Sequence, residues 1–362
     1  MQEILDKVKH FNIEASSGEA TFSAPSNIAL IKYWGKFENQ IPANPSISFS
    51  LENSVSETSL EYRPKEDDGN ISIGFLFEGK RNEQFQSRIV KYFESISGIL
   101  PMLGKHHINI SSSNSFPHSS GIASSASSMS ALAMNLVHMF NLLSNQLLDH
   151  KTSLKLASYL ARLGSGSASR SVYGGFTVWG KSEFFENSSD LYAVQVNPEE
   201  IHPIFQDLHD DILIVEKGMK KVSSSAGHSL MNGHPFAKTR FDLARQRMGE
   251  LKNILRSGDL QAFGKIVENE ALMLHSMMMT SNPSYILLKP NTLAAIEAIW
   301  RYRASEKVPL FFTLDAGANV HLIYPSSFQT KVQNFIDNNL VVYCENAVYL
   351  CDRLGHGPEK LK

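Results

Sequence analysis

Cysteine is nearly absent. The 362-residue chain has 2, Cys344 and Cys351, outside CxxC spacing and close to the C-terminus. Neither a disulfide framework nor a zinc ribbon is supported, and both are expected to be reduced core thiols. Net charge is nearly absent too: Lys+Arg 34 against Asp+Glu 36 gives -2. With no global attraction to nucleic acid or anionic membrane, any anion must be held by a local site. No apolar run reaches the length of a membrane span, and residues 1–9 lack the uninterrupted apolar region of a signal peptide, so the expected location is the cytoplasm. The 13 histidines form no HExxH and no compact ligand cluster, so no protein-held transition metal is expected. There is no repeat or low-complexity tract. What is there, at 42% hydrophobic and 19% charged, is a globular composition with a substantial core, enough for two modest domains or one large one.

The most distinctive stretch is serine-rich: Ser111-Ser-Ser-Asn-Ser-Phe-Pro117-His-Ser-Ser-Gly121-Ile-Ala-Ser-Ser125. Residues 107–110 before it alternate like a strand. After it, Ile122, Ala126, Met129, Leu132, Ala133, Leu136, Met139 and Phe140 recur at helical spacing. The small residues therefore fall at a helix N-terminus, where free N–H groups and the dipole favour phosphate. A flexible serine-rich loop before an ordinary core helix gives the same pattern, since helix N-termini favour serine.

Further along, residues 20–24 alternate like a strand that Pro25 is expected to break. Lys32 and Lys36, four apart, would share one side of a helical turn if the segment coils, and so face an anionic ligand; lysines reaching to water from an amphipathic segment explain the spacing equally simply. Residues 41–51 read as a turn followed by alternation, 58–63 and 70–77 as strands, and 84–97 and 146–163 as helices. Arg170 lies among small and hydroxylic neighbours in Gly164-Ser-Gly-Ser-Ala-Ser-Arg170, where a guanidinium could grip a carboxylate or phosphate, or else cap a helix or pair on the surface.

Two glycine patterns mislead. Gly175-Phe-Thr-Val-Trp-Gly180-Lys-Ser182 matches the Walker A expression, but Phe-Thr-Val-Trp is strand-forming and no helix pattern follows. Gly164-Ser-Gly166 follows a helix and lacks the third glycine of a dinucleotide fingerprint. A boundary is expected between 181 and 203, around a strand at 191–196. Beyond it come a strand at 211–215, a basic small-residue turn at 220–227, and helices over 235–257, 260–279 and 290–304. Met277 to Met279 read as packing residues. Residues 309–324 read as strand, glycine turn, strand, with Asp315 at the bend, either an Asx-turn former or a base projecting into a cleft.

Together these stretches resemble the mevalonate diphosphate decarboxylase family, in the superfamily of galactokinase, homoserine kinase, mevalonate kinase and phosphomevalonate kinase (GHMP kinases). The resemblance rests on Ala24-Pro-Ser-Asn-Ile-Ala-Leu-Ile-Lys-Tyr-Trp-Gly-Lys36, Ser113 to Ser125, Gly164-Ser-Gly-Ser-Ala-Ser-Arg-Ser-Val-Tyr-Gly-Gly-Phe176 and Thr313-Leu-Asp-Ala-Gly-Ala-Asn319, in the family's order. It implies an α+β, two-domain GHMP kinase-like fold: a ribosomal protein S5 domain 2-like N-terminal domain over 1–196, and a ferredoxin-like C-terminal domain over 197–362. It also implies ATP-dependent decarboxylation of mevalonate 5-diphosphate to isopentenyl diphosphate, ADP, phosphate and carbon dioxide by a homodimer that binds neither nucleic acid nor membrane.

On that resemblance Asp315 would accept or orient the proton of the 3-hydroxyl, Lys32 would neutralise the transferring phosphoryl group, and Arg170 would hold the substrate carboxylate. Asn27, Tyr33, Lys36, Ser165, Ser167, Ser224 and Ser225 match substrate-binding positions. Pro117, Ser119, Ser120, Gly121, Ala123, Ser124 and Ser125 would cradle ATP, with Mg2+ held chiefly by its phosphates. The chain departs from the family pattern at Ser225, where some members carry an arginine on the diphosphate, at His118, at Asn44-Pro45 and at Ala318, a common proline. Ser225 leaves two alternatives: a decarboxylase acting on a mevalonate monophosphate, or a related kinase that stops at phosphorylation. A catalytically inactive nucleotide-binding homologue is a third.

Overall fold

A computed structural model describes residues 1–66, 70–117, 122–144, 147–218 and 224–362, apart from the side chains of Ser224 and Ser225. Its strands, in chain order, are β1 (Gly18–Ile31), β2 (Ser46–Pro64), β3 (Ser72–Phe77), β4 (Lys80–Arg81), β5 (His106–Asn114), β6 (Phe176–Trp179), β7 (Val194–Gln195), β8 (Leu208–Leu213), β9 (Phe311–Thr313), β10 (Val320–Pro325), β11 (Tyr349–Leu350) and β12 (Glu359–Lys360). The helices are α1 (Gln2–His10), α2 (Glu83–Ile96), α3 (Met102–Lys105), α4 (Ser124–Leu143), α5 (His150–Gly164), α6 (Ser224–Ser229), α7 (Ala237–Ser257), α8 (Leu260–Met279), α9 (Pro290–Glu306) and α10 (Gln329–Phe335).

Two sheets carry the α+β fold. One runs β12-β1-β2-β5-β3-β4, with β6 on β2 and β7 on β6; the other runs β11-β8-β10-β9. Every pairing is antiparallel except β3 with β5. The sidedness of β2 follows from its alternation: Leu60 and Tyr62 enter the core while Glu57 and Glu61 point out. On the inner face Leu60, Ile108 and Ile110 meet Leu132, Leu136 and Phe140 of α4 and Leu160 of α5. A second core joins Ile31, Phe49 and Val178 of the first sheet to Ile212 and Ile323 of the second, together with Met248 and Leu251 of α7. Side chains of Asn82, Asp149 and Asp259 cap α2, α5 and α8, and Gly258 ends α7 in the left-handed region at φ 81.

The chain's last segment returns to the first sheet. The Asp352 carboxylate accepts the N–H groups of Glu52, Asn53 and Ser54, Gly355 N donates to Ser50 O at 2.8 Å, and β12 pairs with β1.

Several expectations change. Pro25 does not end its strand: β1 continues to Ile31, with a register shift between Pro25 and Asn27 that absorbs the missing donor. Residues 46–64 form one strand, where the sequence divides into pieces. Lys32 to Lys36 do not coil into a helical turn; they leave β1 in extended form and bend at Gly35, φ 94. Helix α5 starts at His150, behind its Asp149 cap, so the expected start at 146 is too early. Only Val194–Gln195 of the strand expected over 191–196 is a strand. Gly175-Phe-Thr-Val-Trp-Gly180 holds the buried strand β6, as expected from the rejection of a phosphate loop. Cys344 is buried and Cys351 exposed, both free, so only the first is a core thiol. Among the described residues no helix is long and apolar enough to cross a membrane.

Candidate active site

Three charged residues from distant parts of the chain meet where β1 ends. Lys32 follows β1, Arg170 lies in the 3-10 helix Gly166–Val172 after α5, and Asp315 sits in the turn between β9 and β10. Lys32 is 1% exposed, and its Nζ lies 3.4 Å from Asp315 Oδ1. Burial lowers the Lys32 pKa, while Asp315 and then Glu270 act to keep the ammonium charged.

Arg170 is 3% exposed and has no ion pair among the described residues. Its Nε donates to Asn27 Oδ1 (3.2 Å) and Ser48 Oγ (2.9 Å), Nη1 to Ser46 Oγ (2.6 Å), and Nη2 to Asn27 Oδ1 (3.1 Å). A guanidinium carries five N–H groups. One on each Nη is thus left without a partner among the described residues. Burial pushes its pKa down to about 10, with Asp315 and Tyr33 opposing. A surface-paired or helix-capping arginine is excluded by this setting.

Asn27 is spent on that arrangement. Its oxygen serves Arg170, and its amide donates to Ser171 Oγ (2.8 Å) and Ser167 O (3.3 Å). Tyr33 packs against Trp179 and His228, with ring centroids at 4.6 and 4.2 Å; desolvation raises its pKa, and its buried hydroxyl has no hydrogen-bond partner among the described residues. Asn44 donates to Lys32 O at 3.0 Å, while its Oδ1 is buried and likewise unpartnered. Buried polar atoms left open in this way suit a polar ligand. Lys36 is half-buried, which lowers its pKa, and Nζ donates to Gln40 Oε1 at 2.9 Å.

Helix α4 begins at Ser124 with Ala123 at its N-cap and no side-chain cap bond. Pro117 and Ser125 are exposed, and Ser125 Oγ lies 3.4 Å from Ser165 Oγ, bringing the serine-rich helix start to the Arg170 segment. Ser119, Ser120 and Gly121 lie outside the described residues, as do His118, residues 219–223 and the side chains of Ser224 and Ser225.

The sequence reading missed Glu270, Arg240, His275 and His228. Glu270, 0% exposed, accepts Lys32 N at 2.9 Å, Arg240 Nη2 at 2.7 Å and Arg247 Nη1 at 2.6 Å, while Arg240 Nη2 also donates to Lys32 O at 3.1 Å. His275 Nε2 donates to Asp315 O at 3.0 Å. His228 Nδ1 accepts Gly35 N at 2.9 Å between the rings of Tyr33 and Trp34, and burial, then Lys36, pushes its pKa down to about 3. The available signal was weak: Glu270 shares its helix pattern with Lys265 and Glu268, so nothing local sets it apart.

A family model described as Diphosphomevalonate decarboxylase-like N-terminal domain matches residues 24–192, and one described as Mevalonate 5-diphosphate decarboxylase C-terminal domain matches 211–352. The chain is 30% identical over 336 residues to the diphosphomevalonate decarboxylase of Ganoderma lucidum, spanning 88% of this chain and 81% of that one. It is 29% identical over 309 residues to the phosphomevalonate decarboxylase of Haloferax volcanii, spanning 84% and 87%. Among solved structures, mevalonate diphosphate decarboxylase from Staphylococcus aureus superposes with a TM-score of 0.81 at 28% identity, over 96% of this chain and 98% of that one. A complex of a protein called MDDEF with MVAPP, AMPPCP and magnesium superposes at 0.80 and 25% identity, over 96% and 100%.

Proposed function

We infer that the chain, which belongs to the diphosphomevalonate decarboxylase family, catalyses the ATP-dependent decarboxylation of mevalonate 5-diphosphate to isopentenyl diphosphate, ADP, phosphate and carbon dioxide. The observation that carries this reading is the buried Arg170, held by neutral groups with two N–H left over, beside the pair formed by the buried Lys32 and the partly exposed Asp315. A buried cation without an anion is costly, and a substrate carboxylate supplies one in the bidentate form a guanidinium prefers.

A tertiary 3-hydroxyl is a poor leaving group, and transfer of the ATP γ-phosphoryl group converts it to phosphate. Asp315, whose Oδ1 lies 3.4 Å from Lys32 Nζ, accepts or orients the hydroxyl proton. The Lys32 ammonium offsets the charge of the transferring group. When the phosphate departs, positive charge develops at C3; the electrons of the breaking bond to the carboxylate carbon form the alkene and release carbon dioxide. Arg170 fixes the carboxylate for that cleavage.

The phosphates of ATP would be held at the start of α4, which has no side-chain cap and carries the hydroxyls of Ser124 and Ser125 as donors. Mg2+ would bridge the phosphates of ATP and neutralise charge during transfer. The open Tyr33 hydroxyl and the half-buried Lys36 suit the phosphate end of the substrate. The resemblance further implies a cytoplasmic homodimer; sedimentation of the purified protein would test the dimer.

A second reading is decarboxylation of the 5-phosphate. It is favoured by Ser225, where some members carry an arginine, and by the comparable identity to a phosphomevalonate decarboxylase. Following ADP and carbon dioxide together, with ATP, Mg2+ and each substrate in turn, separates the two. Equal amounts of both products from the diphosphate support the first reading; products from the monophosphate alone support the second; ADP without carbon dioxide overturns both.

A further inference from the structure

We propose that helix α8 is a registration bar for the chemistry: Glu270, braced by Arg240, and His275 are positioning residues that set Lys32 and Asp315 against one another. This rests on the proposed reaction and extends it to groups that touch neither substrate.

Lys32 follows a strand of one sheet and Asp315 a strand of the other, and among the described strands no pairing joins the two sheets. A single rigid element touches both. From α8, Glu270 accepts the Lys32 N–H at 2.9 Å, and Arg240, itself bound to Glu270 at 2.7 Å, donates to the Lys32 carbonyl at 3.1 Å. One buried ion pair thereby holds both backbone groups of Lys32, sharing the carbonyl with the Asn44 amide. Five residues along the same helix, His275 Nε2 donates to the Asp315 carbonyl at 3.0 Å. That bond holds the turn in which Gly317 N closes on the same oxygen at 2.7 Å. Glu270 is 0% and His275 1% exposed, so water does not substitute for either bond. A helix fixes the separation of two groups far more tightly than loops do, and phosphoryl transfer depends steeply on such placement.

The Lys32 ammonium is faced by Asp315 from the β9–β10 turn, Glu270 from α8 and Arg170 from the 3-10 helix, with Arg240 and Arg247 of α7 paired on Glu270. Neutralising Glu270 withdraws a carboxylate that keeps Lys32 protonated and leaves two arginine charges uncompensated. Both changes let Lys32 lose its proton at lower pH.

The test uses the full chain as His275→Leu, His275→Gln and Glu270→Gln, with ADP and carbon dioxide followed for each beside the unsubstituted protein. His275→Leu should lower kcat by ~10- to 100-fold with KM within about twofold, and His275→Gln, which retains a side-chain N–H, should recover at least ~10-fold of that loss. Glu270→Gln should move the alkaline limb of the kcat–pH profile to lower pH. Equal losses in both His275 variants, or a loss confined to KM, would overturn the proposal. An unmoved alkaline limb in a folded Glu270→Gln would do the same; should that variant not fold, the His275 pair decides alone. An unsubstituted chain that releases no carbon dioxide would remove the functional reading and the bar with it, whereas an active chain with indifferent variants would remove only the bar.

Discussion

Replacing Arg170 by lysine keeps the charge and removes the fork, and so isolates what the guanidinium geometry does. In the native site three acceptors, Asn27 Oδ1, Ser46 Oγ and Ser48 Oγ, take N–H groups from one planar group at 2.6 to 3.2 Å. An ammonium on a shorter reach cannot span all three and still present two parallel donors to a carboxylate. Losing one charge-assisted hydrogen bond to the substrate costs about 1.5–3 kcal/mol, which corresponds to ~10- to 150-fold in kcat/KM. Native stability should fall by about 1–3 kcal/mol as buried acceptors lose partners, read as a lower urea midpoint. Carbon dioxide release should be followed with mevalonate 5-diphosphate, and binding by competition with its carboxamide analogue. The unsubstituted protein should discriminate between the two, and Arg170→Lys should lose most of that discrimination. A kcat/KM for Arg170→Lys within about threefold of the parent, or an equal weakening for acid and amide, would refute a carboxylate clasp at Arg170.

Asp315→Asn preserves shape and should cut carbon dioxide release by ~10²- to 10⁴-fold while nucleotide affinity, measured by calorimetry, is retained. Gly166→Ala would place a methyl 2.6 Å from a Trp179 ring carbon and 2.9 Å from the Tyr33 hydroxyl, so thermal denaturation should show a loss of about 1–3 kcal/mol. The Asp211 carboxyl, raised chiefly by burial from 3.8 to about 7, is favoured by folding in its protonated form. Stability should therefore fall as pH rises from 3.8 to about 7, and Asp211→Asn should flatten that slope in urea midpoints taken across the window.

The sequence displayed the helical parts of the fold best. The apolar spacing in 122–140 specifies α4 because one face of that helix must cover β1 and β2, and the period survives in the residues themselves. Strand extents were harder to read. β2 runs on through Ser50 and Ser56 because distant groups take up their hydroxyls: Ser50 Oγ donates to Gly355 O, and Ser56 Oγ bonds Asn114 Oδ1 of β5 and Ser127 Oγ of α4, none of them local. Pro25 misleads for a similar reason: a bulge that absorbs a missing donor is decided by the facing strand. The segments carrying Lys32, Arg170 and Asp315 stood out by their small, polar and glycine neighbours. Glu270 and His275 did not, because what distinguishes them is the distant backbone groups they hold, and a helical pattern records only the helix's own faces.

The return of β12 to the first sheet separates covalent order from architectural order. A cut between 196 and 197 would leave the leading piece without the strand that borders β1, and without Asp352 to collect the N–H groups of Glu52, Asn53 and Ser54. The trailing piece would carry that strand apart from the sheet it belongs to, since β12 pairs only with β1 among the described strands. The two halves are thus donor and acceptor to one another, and mixing them should rebuild the sheet by strand donation, with residues 351–362 acting as the clasp.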